Sequence, residues 1–309
     1  MFLIFSSLKA FFLQNNRFDG ILRKNALLLK GRLIMEYLEN YLFAANDYDT
    51  PDNVPHAFMD NLLLRSRWYF YWKNFGIFVR TGKCGQAGKL DAFMQTEFSN
   101  GNTRLLEAVG GKLHLRNLDN IKKLNGQPAV IVANHMSLLE TALLHSVMRP
   151  RLDFTFVIKR SLFDVKYFGD IMRSLEAIAV DRVNPRDDFK AVLTEGKERL
   201  SRGKSIVLFP QATRSEMFIP ENFNTIGIKL AKAAGVPVLP LALKTDFLGN
   251  GKLIRDMGPV HRKHEVYFEF GEPEMVTDSG KDLHERIISF IEDRLDKWYA
   301  SEGRVRPKP

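Results

Sequence analysis

Residues 128–148 read "PAVIVANHMSLLETALLHSVM", and this stretch decides the fold. An apolar β-type run, "AVIVA", gives way through a few polar residues to a helical stretch, "LLETALLHSVM". The same texture continues outward from residue 110. Short apolar runs recur in "GKLHLRNL", "FTFVIKR", "EAIAVDR", "SIVLFP", "VPVLPLAL" and "VYFEFGEP", and the stretches "FKAVLTEGKERLSRG" and "TIGIKLAKAAG" between them are helical. Strands buried on both faces and separated by helices imply an α/β fold with a mainly parallel central sheet flanked by helices. No sequence period repeats, so this is not a repeat protein.

Upstream of residue 110 the chain is organised differently. Residues 1–60 are expected to form an N-terminal amphipathic helical segment and a Pro-containing linker. From Met1 to Leu33 six Lys/Arg face one acid, Asp19, among several Phe and Leu. That composition suits the surface of an anionic membrane, a loosely packed terminal helix or an over-extended start codon being the alternative. "MFLIFSSLKAFFL" is too short to span a bilayer and lacks the basic start and small-residue cleavage site of a signal peptide. Residues 61–109 form an aromatic-rich helical element. Its stretch "NLLLRSRWYFYWKNFGIFVR" suits a core helix with a basic edge or a helix lying on lipid, "TGKCGQAGK" is read as a loop, and a second helix follows over 89–109. The α/β domain is placed at 110–300 and a disordered tail at 301–309.

A formal charge of +9 and a pI near 9.5 point to an anionic partner. Nucleic acid is disfavoured, because the basic residues are dispersed and no binding motif is present. The single cysteine, Cys84, excludes an internal disulfide framework and suits a reducing compartment. With no CxxC, CxxH or HExxH pattern, no metal site is expected.

In open α/β sheets, chemistry collects just beyond the carboxyl ends of the strands. Polar residues follow apolar strands at Asn134–Glu140, Lys159–Arg160, Asp181–Arg182 and Gln211–Ser215. One histidine, one or two acids and several cations on one rim suit attack by a hydroxyl carried on a phosphate-bearing molecule. Positions 135 and 140 would lie about 140° apart within one helix, so His135 and Glu140 meet only if His135 precedes the first turn and Glu140 faces back from it. The carboxylate then fixes the imidazole tautomer and leaves one nitrogen free to take a proton. Ser137 is read as the helix N-cap rather than a nucleophile, there being no GxSxG. His145 continues the five-residue spacing, but three side chains spread around a helix make a poor metal site; it is read as a packing or surface residue. His261 and His264 are read as a solvated edge.

"ANHMSLLE", "AVDR", "LFPQATRS" and "VPVLPLAL", in this order, resemble the four blocks of the glycerolipid acyltransferases, and among these the 1-acyl-sn-glycerol-3-phosphate acyltransferases. The resemblance covers roughly residues 110–275. It implies that His135 is the general base and that Glu140, where the family usually has Asp, orients it. It implies further that Arg182 and Arg214 hold the acceptor's phosphate, with Lys159 as a third cation and Thr213, Ser215 and Gln211 as lesser contacts. The acyl donor would be acyl-CoA or an acyl carrier protein, the acceptor a lysophospholipid, and no cofactor is expected. The place implied is peripheral, at the cytoplasmic face of the cytoplasmic membrane. Where the third block usually reads Glu-Gly-Thr-Arg, this chain has Gln211-Ala212-Thr213-Arg214, and Ala212 is costly if that position needs φ > 0. A non-catalytic phospholipid-binding protein on the same fold, or an acyltransferase for a different lysolipid, is the alternative.

Overall fold

The computed structural model describes residues 43, 45–211, 213–251 and 254–308. The basic segment 1–33 and Ala212 lie outside the described residues. Eight strands form one sheet: β1 (Tyr48–Asp49), β2 (Leu113–Arg116), β3 (Val130–Ala133), β4 (Phe154–Lys159), β5 (Ile178–Val180), β6 (Ser205–Leu208), β7 (Val238–Lys244) and β8 (Val266–Phe270). Their spatial order is β1-β2-β8-β7-β3-β6-β4-β5. The pairs β2–β8, β3–β7, β3–β6, β4–β6 and β4–β5 are parallel, while β1–β2 and β7–β8 are antiparallel, so the sheet is mixed. The strand of two residues, β1, arises within the segment read as a linker; nothing in so short and polar a stretch signals a strand.

The α-helices among the described residues are α1 (Phe58–Leu62), α2 (Arg67–Gln86), α3 (Ala92–Ala108), α4 (Asp119–Lys122), α5 (Leu139–Met148), α6 (Phe168–Ser174), α7 (Pro185–Ser201), α8 (Ile226–Ala234) and α9 (Lys281–Ser301). Local chemistry sets several of their ends. Asp91 caps α3 by accepting the Met94 N–H at 2.9 Å, and Asn184 caps α7 ahead of Pro185 and two first-turn acids. Gly235, at φ 66°, ends α8 in the left-handed conformation that other residues enter only at a cost.

Period-two alternation assigns each strand face to its own core. Ile131 and Ala133 of β3, Val207 of β6 and Leu239, Leu241 and Leu243 of β7 pack with Leu106, Leu143 and Val147 on one side. Val130 and Val132, Ile206 and Leu208, and Val238 and Ala242 pack with Val192, Leu230, Ile287 and Ile291 on the other. Both layers are therefore apolar, and α2, α3 and α5 cover one face while α7, α8 and α9 cover the other.

Two expectations are corrected. Residues 81–86 are not a loop: α2 runs on to Gln86 because Gly82 and Gly85 let it approach α6 closely. A Cβ on Gly82 would lie 2.3 Å from Cβ of Tyr167, and one on Gly85 would lie 3.1 Å from the Asp170 carbonyl oxygen. Residues 302–308 are not a loose tail either. Arg304 binds Asp246 at 2.7 Å and Glu302 at 2.7 Å, and buried Arg306 binds Glu292 at 3.1 Å and Asp296 at 2.9 Å.

Candidate active site

Neighbouring strands β3 and β6 send their following helices, α5 and α8, to opposite faces of the sheet. A crevice opens at such a switch point, beyond the strands' carboxyl ends. His135 lies there, two residues past β3, and the segment 209–215 borders it from the end of β6.

The loop from Asn134 to Leu138 is tied down on every side. The Asn134 side chain donates to the Leu243 carbonyl at 2.7 Å and accepts the Leu243 N–H at 2.8 Å, locking the loop's start to β7. The Ser215 N–H donates to the His135 carbonyl at 2.9 Å, and the Asn250 amide donates to the Met136 carbonyl at 3.1 Å. The His135 ring stacks on Phe209, with centroids 4.1 Å apart. These contacts leave its side chain 17% exposed, enough to meet a substrate and too little to wander.

Glu140 is fully buried in the first turn of α5 and faces back, as its spacing from His135 requires. Its Oε1 accepts from the Met136 N–H at 2.7 Å, the Ser137 N–H at 2.9 Å and the Thr245 hydroxyl at 2.6 Å. Its Oε2 meets Nδ1 of His135. Three donors on one oxygen make the carboxylate an acceptor, so Nδ1 carries the hydrogen and Nε2 is the free basic nitrogen. Burying the carboxylate is tolerable only because every side of it is bonded. Part of this was legible: Ser137-x-x-Glu140 is a capping-box spacing, in which the acid reaches back to backbone N–H groups. Ser137 itself does not occupy the cap position, which falls to Leu138; its hydroxyl accepts the Leu139 N–H at 3.1 Å and donates to Thr245 at 2.9 Å. Thr245, just past the fourth block, carried no sequence signal of its own, because its partner is more than a hundred residues away.

The predicted substrate contacts fall into two groups. Arg214, Gln211 and Ser215 border the crevice beside His135. The Arg214 guanidinium is paired with Asp256 at 2.6 Å, and the loop holding Asp256 also sends the Arg255 side chain to the Arg214 carbonyl. Gln211 accepts the His135 N–H at 3.4 Å and donates to the Met217 carbonyl at 3.4 Å, while the Ser215 hydroxyl accepts the Met217 N–H at 3.1 Å. Both therefore build the turn. Thr213 is exposed, and its N–H donates to the Gln211 carbonyl at 2.7 Å.

Lys159 and Arg182 form the second group, further along the rim. Lys159 pairs in register with Val180, so it and Arg182 project from neighbouring strand ends. Arg182 sits at φ 60°, an unusual conformation for a residue with a Cβ, in a turn whose Asp181 and Arg182 N–H groups both donate to Asp188, at 2.8 and 2.9 Å. It is exposed and makes no ion pair among the described residues, whereas its neighbour Arg160 is taken up by Asp181 at 2.7 Å. Strand β5 is three spacings from β3, roughly 14 Å of backbone separation, a gap that two long side chains and an extended substrate can bridge.

His145 and His264 are committed to other contacts. His145 is buried and stacked on Phe154 at 4.8 Å; burial, with Arg149 adding to it, pushes its pKa from 6.5 down to about 3. The stretch 261–264 is not a solvated edge. His264 lies 3.1 Å from Asp246, and Arg262 is bound through two nitrogens to the fully buried Asp60, at 2.8 and 2.9 Å. Alternating positions across a folded loop reach inward here, which a run of basic residues does not announce.

Residues 112–244 match the family model described as acyltransferase. A 1-acyl-sn-glycerol-3-phosphate acyltransferase of Pseudomonas aeruginosa is 35% identical over 134 residues, covering 43% of this chain and 50% of that protein. A chloroplastic 1-acyl-sn-glycerol-3-phosphate acyltransferase of Arabidopsis thaliana is 29% identical, covering 46% and 38%. A lysophospholipid acyltransferase of the same plant is 34% identical, covering 38% and 29%. The chain thus spans half or less of the length of these relatives. The crystal structure of the 1-acyl-sn-glycerophosphate acyltransferase of Thermotoga maritima superposes with a TM-score of 0.60 at 21% identity, over 78% of this chain and 97% of that one, so the two share a fold. Over residues 112–244, then, this chain is similar to the acyltransferase family, and over most of its length it shares the fold of one solved member.

Proposed function

We propose that the protein transfers a fatty acyl group from a thioester, acyl-CoA or acyl carrier protein, to the free hydroxyl of 1-acyl-sn-glycerol 3-phosphate. The observation that carries this reading is the His135–Glu140 pair, with a free Nε2, set at the sheet's switch point beside a rim of cations. In the step, Nε2 of His135 takes the hydroxyl proton as the oxygen attacks the thioester carbonyl carbon. The tetrahedral adduct collapses with cleavage of the carbon–sulfur bond, and the imidazolium returns the proton to the departing sulfur, giving ester and free thiol. Glu140 holds the tautomer and stabilises the imidazolium. A positioned base supplies about 10²–10⁴-fold, so holding both substrates together supplies much of the remaining acceleration.

Arg214, Lys159 and Arg182 hold the acceptor's phosphate by charge-assisted hydrogen bonds. The acceptor must displace Asp256 from Arg214 to do so. Membrane docking rests on α2, which divides the aromatic stretch in two: Tyr69, Phe70 and Tyr71 are buried, whereas Trp68, Trp72 and Phe75 are about 60% exposed on one stripe. Arg67 lies 5.2 Å from the Trp68 ring and Lys73 5.0 Å from that of Trp72, an arrangement suited to an anionic lipid surface. No helix among the described residues is long and apolar enough to cross a membrane. A peripheral position at the cytoplasmic membrane face follows from this reading.

A second reading keeps the chemistry and changes the acceptor to another lysophospholipid. It is favoured by the Arg214–Asp256 pair, which neutralises one phosphate-facing cation. The deciding experiment is an acceptor panel of lysophosphatidic acid, glycerol 3-phosphate and zwitterionic lysolipids. Preference for lysophosphatidic acid is expected; a clear preference for the zwitterionic acceptors would establish the second reading, and lipid binding with no turnover on any acceptor would leave a binding protein.

A further inference from the structure

Among the three donors to Glu140 Oε1, Thr245 differs from the other two. The Met136 and Ser137 N–H groups belong to the same loop as His135, so they hold the carboxylate only relative to that loop. Thr245 follows β7 directly, and its hydroxyl, 2.6 Å from Oε1, holds the carboxylate relative to the sheet. The Ser137 hydroxyl donates to Thr245 at 2.9 Å, which commits the threonine's own hydrogen to Glu140.

Thr245 is fully buried, and the residues on either side of it are anchored by charge. Lys244 is also fully buried; its Nζ lies 2.9 Å from Asp246 Oδ1 and donates to Glu302 Oε1 at 2.5 Å and to the Glu265 carbonyl at 3.0 Å. The rings of Tyr267 and Tyr299 flank it at 5.8 and 5.1 Å. Asp246 Oδ2 takes Arg304 at 2.7 Å and His264 at 3.1 Å. A buried cluster of this kind adds little net stability over well-packed apolar residues, because desolvation offsets the Coulombic gain. What it does do is tie the chain on both sides of Thr245, through Lys244 and Asp246, to Glu265, His264, Glu302 and Arg304. Two of its members, Glu302 and Arg304, come from the C-terminal segment.

We propose that Thr245 is a positioning residue for the His135–Glu140 pair, and that the buried ion cluster completed by Glu302 and Arg304 holds Thr245 in place. The part concerning turnover rests on the acyl-transfer reading above. With the threonine in place, Oε1 is saturated and Oε2 is left aimed at Nδ1. Without it, Oε1 keeps only the two loop N–H groups, the Glu140 carboxylate can turn about its own side-chain torsions, and Nε2 loses its fixed direction.

The test uses the full-length chain with Thr245→Val, which keeps the shape and removes the hydroxyl, and Thr245→Ser, which keeps the hydroxyl. Two readouts are taken: steady-state acyl transfer, and the proton resonance of the His135 Nδ1–H, which needs no substrate. Loss of one hydrogen bond to a buried charge should lower kcat by about 10- to 100-fold in Thr245→Val, with KM values changed by less than about twofold. The Nδ1–H resonance should shift or broaden, and Thr245→Ser should restore most of both. Unchanged kcat and an unmoved resonance in Thr245→Val would overturn the assignment, as would equal impairment in both variants, which marks a packing role. Glu302→Gln should perturb the same resonance; an unmoved signal would overturn the role given to the cluster. If the unmodified protein turns over no acceptor, the reaction fails as a reading, and the resonance still decides the positioning role.

Discussion

Replacing Glu140 by Gln removes one charge and no volume, and the hydrogen bonds around it dictate the consequence. Oε1 receives two backbone N–H groups and a hydroxyl, at 2.6–2.9 Å. The amide oxygen of Gln must take that position, because an NH₂ there would face three donors. The NH₂ is then turned towards His135, where it can only donate. His135 must accept through Nδ1, which moves its hydrogen to Nε2, the nitrogen that has to take the acceptor's proton. The fold and the substrate contacts are untouched. The expected cost is loss of the positioned base and of the anion that stabilises the imidazolium, about 10²–10⁴-fold in kcat, or about 2.7–5.5 kcal/mol of barrier. KM for the lysolipid should stay within about twofold, since Glu140 is buried and touches no substrate. Thiol release from acyl-CoA under saturating acceptor, followed across pH, measures both. A kcat within about fivefold of the original, in a variant with an unchanged melting temperature, would show that neither the tautomer nor the buried anion matters to turnover.

Three further outcomes come from other contacts in the same fold. Asp256→Asn frees Arg214 from a half-exposed ion pair, so KM for lysophosphatidic acid should fall by about two- to fivefold with kcat little changed; a rise in KM would mean that Asp256 holds Arg214 in its working position. Gly82→Ala forces a Cβ to within 2.3 Å of Tyr167, and should lower stability by about 1–3 kcal/mol in denaturant unfolding; a neutral result would show that α2 and α6 can move apart without cost. His145 stays neutral in the folded protein down to about 3, while its unfolded form takes a proton below 6.5. The unfolded state therefore binds more protons between these values, and stability is lost on acidification through that window by up to about 1.4 kcal/mol per pH unit. His145→Leu should flatten that part of the pH–stability curve, and an unchanged slope would exclude the histidine as its source.

The strands and the reach of Glu140 back to His135 were legible because each depends on near neighbours in the chain. A short continuous apolar run marks a strand buried on both faces within a handful of residues, and helix geometry alone placed His135 ahead of the first turn. The features that escaped the sequence depend on distant partners. "TGKCGQAGK" carries three glycines and reads as a loop until α6 is present, when Gly82 and Gly85 become the surface against which it packs. "SEGRVRPKP" reads as a solvated tail until Asp246 and Glu292 are there to receive its arginines. The cations divide in the same way. Their positions after strands could be read, but not that Asp256 occupies Arg214 or that Arg182 sits in a left-handed turn braced by Asp188.

The proposed chemistry turns on Nε2 of His135 taking the proton from a lysolipid hydroxyl as it attacks an acyl thioester. Purified protein is given acyl-CoA and lysophosphatidic acid, free thiol is followed with a colorimetric thiol reagent, and His135→Ala is compared with the unmodified chain. Acceptor-dependent thiol release by the unmodified protein is expected, with its loss, by about 10²-fold or more, in a folded His135→Ala. Full activity in that variant would contradict the assignment of His135 as the base.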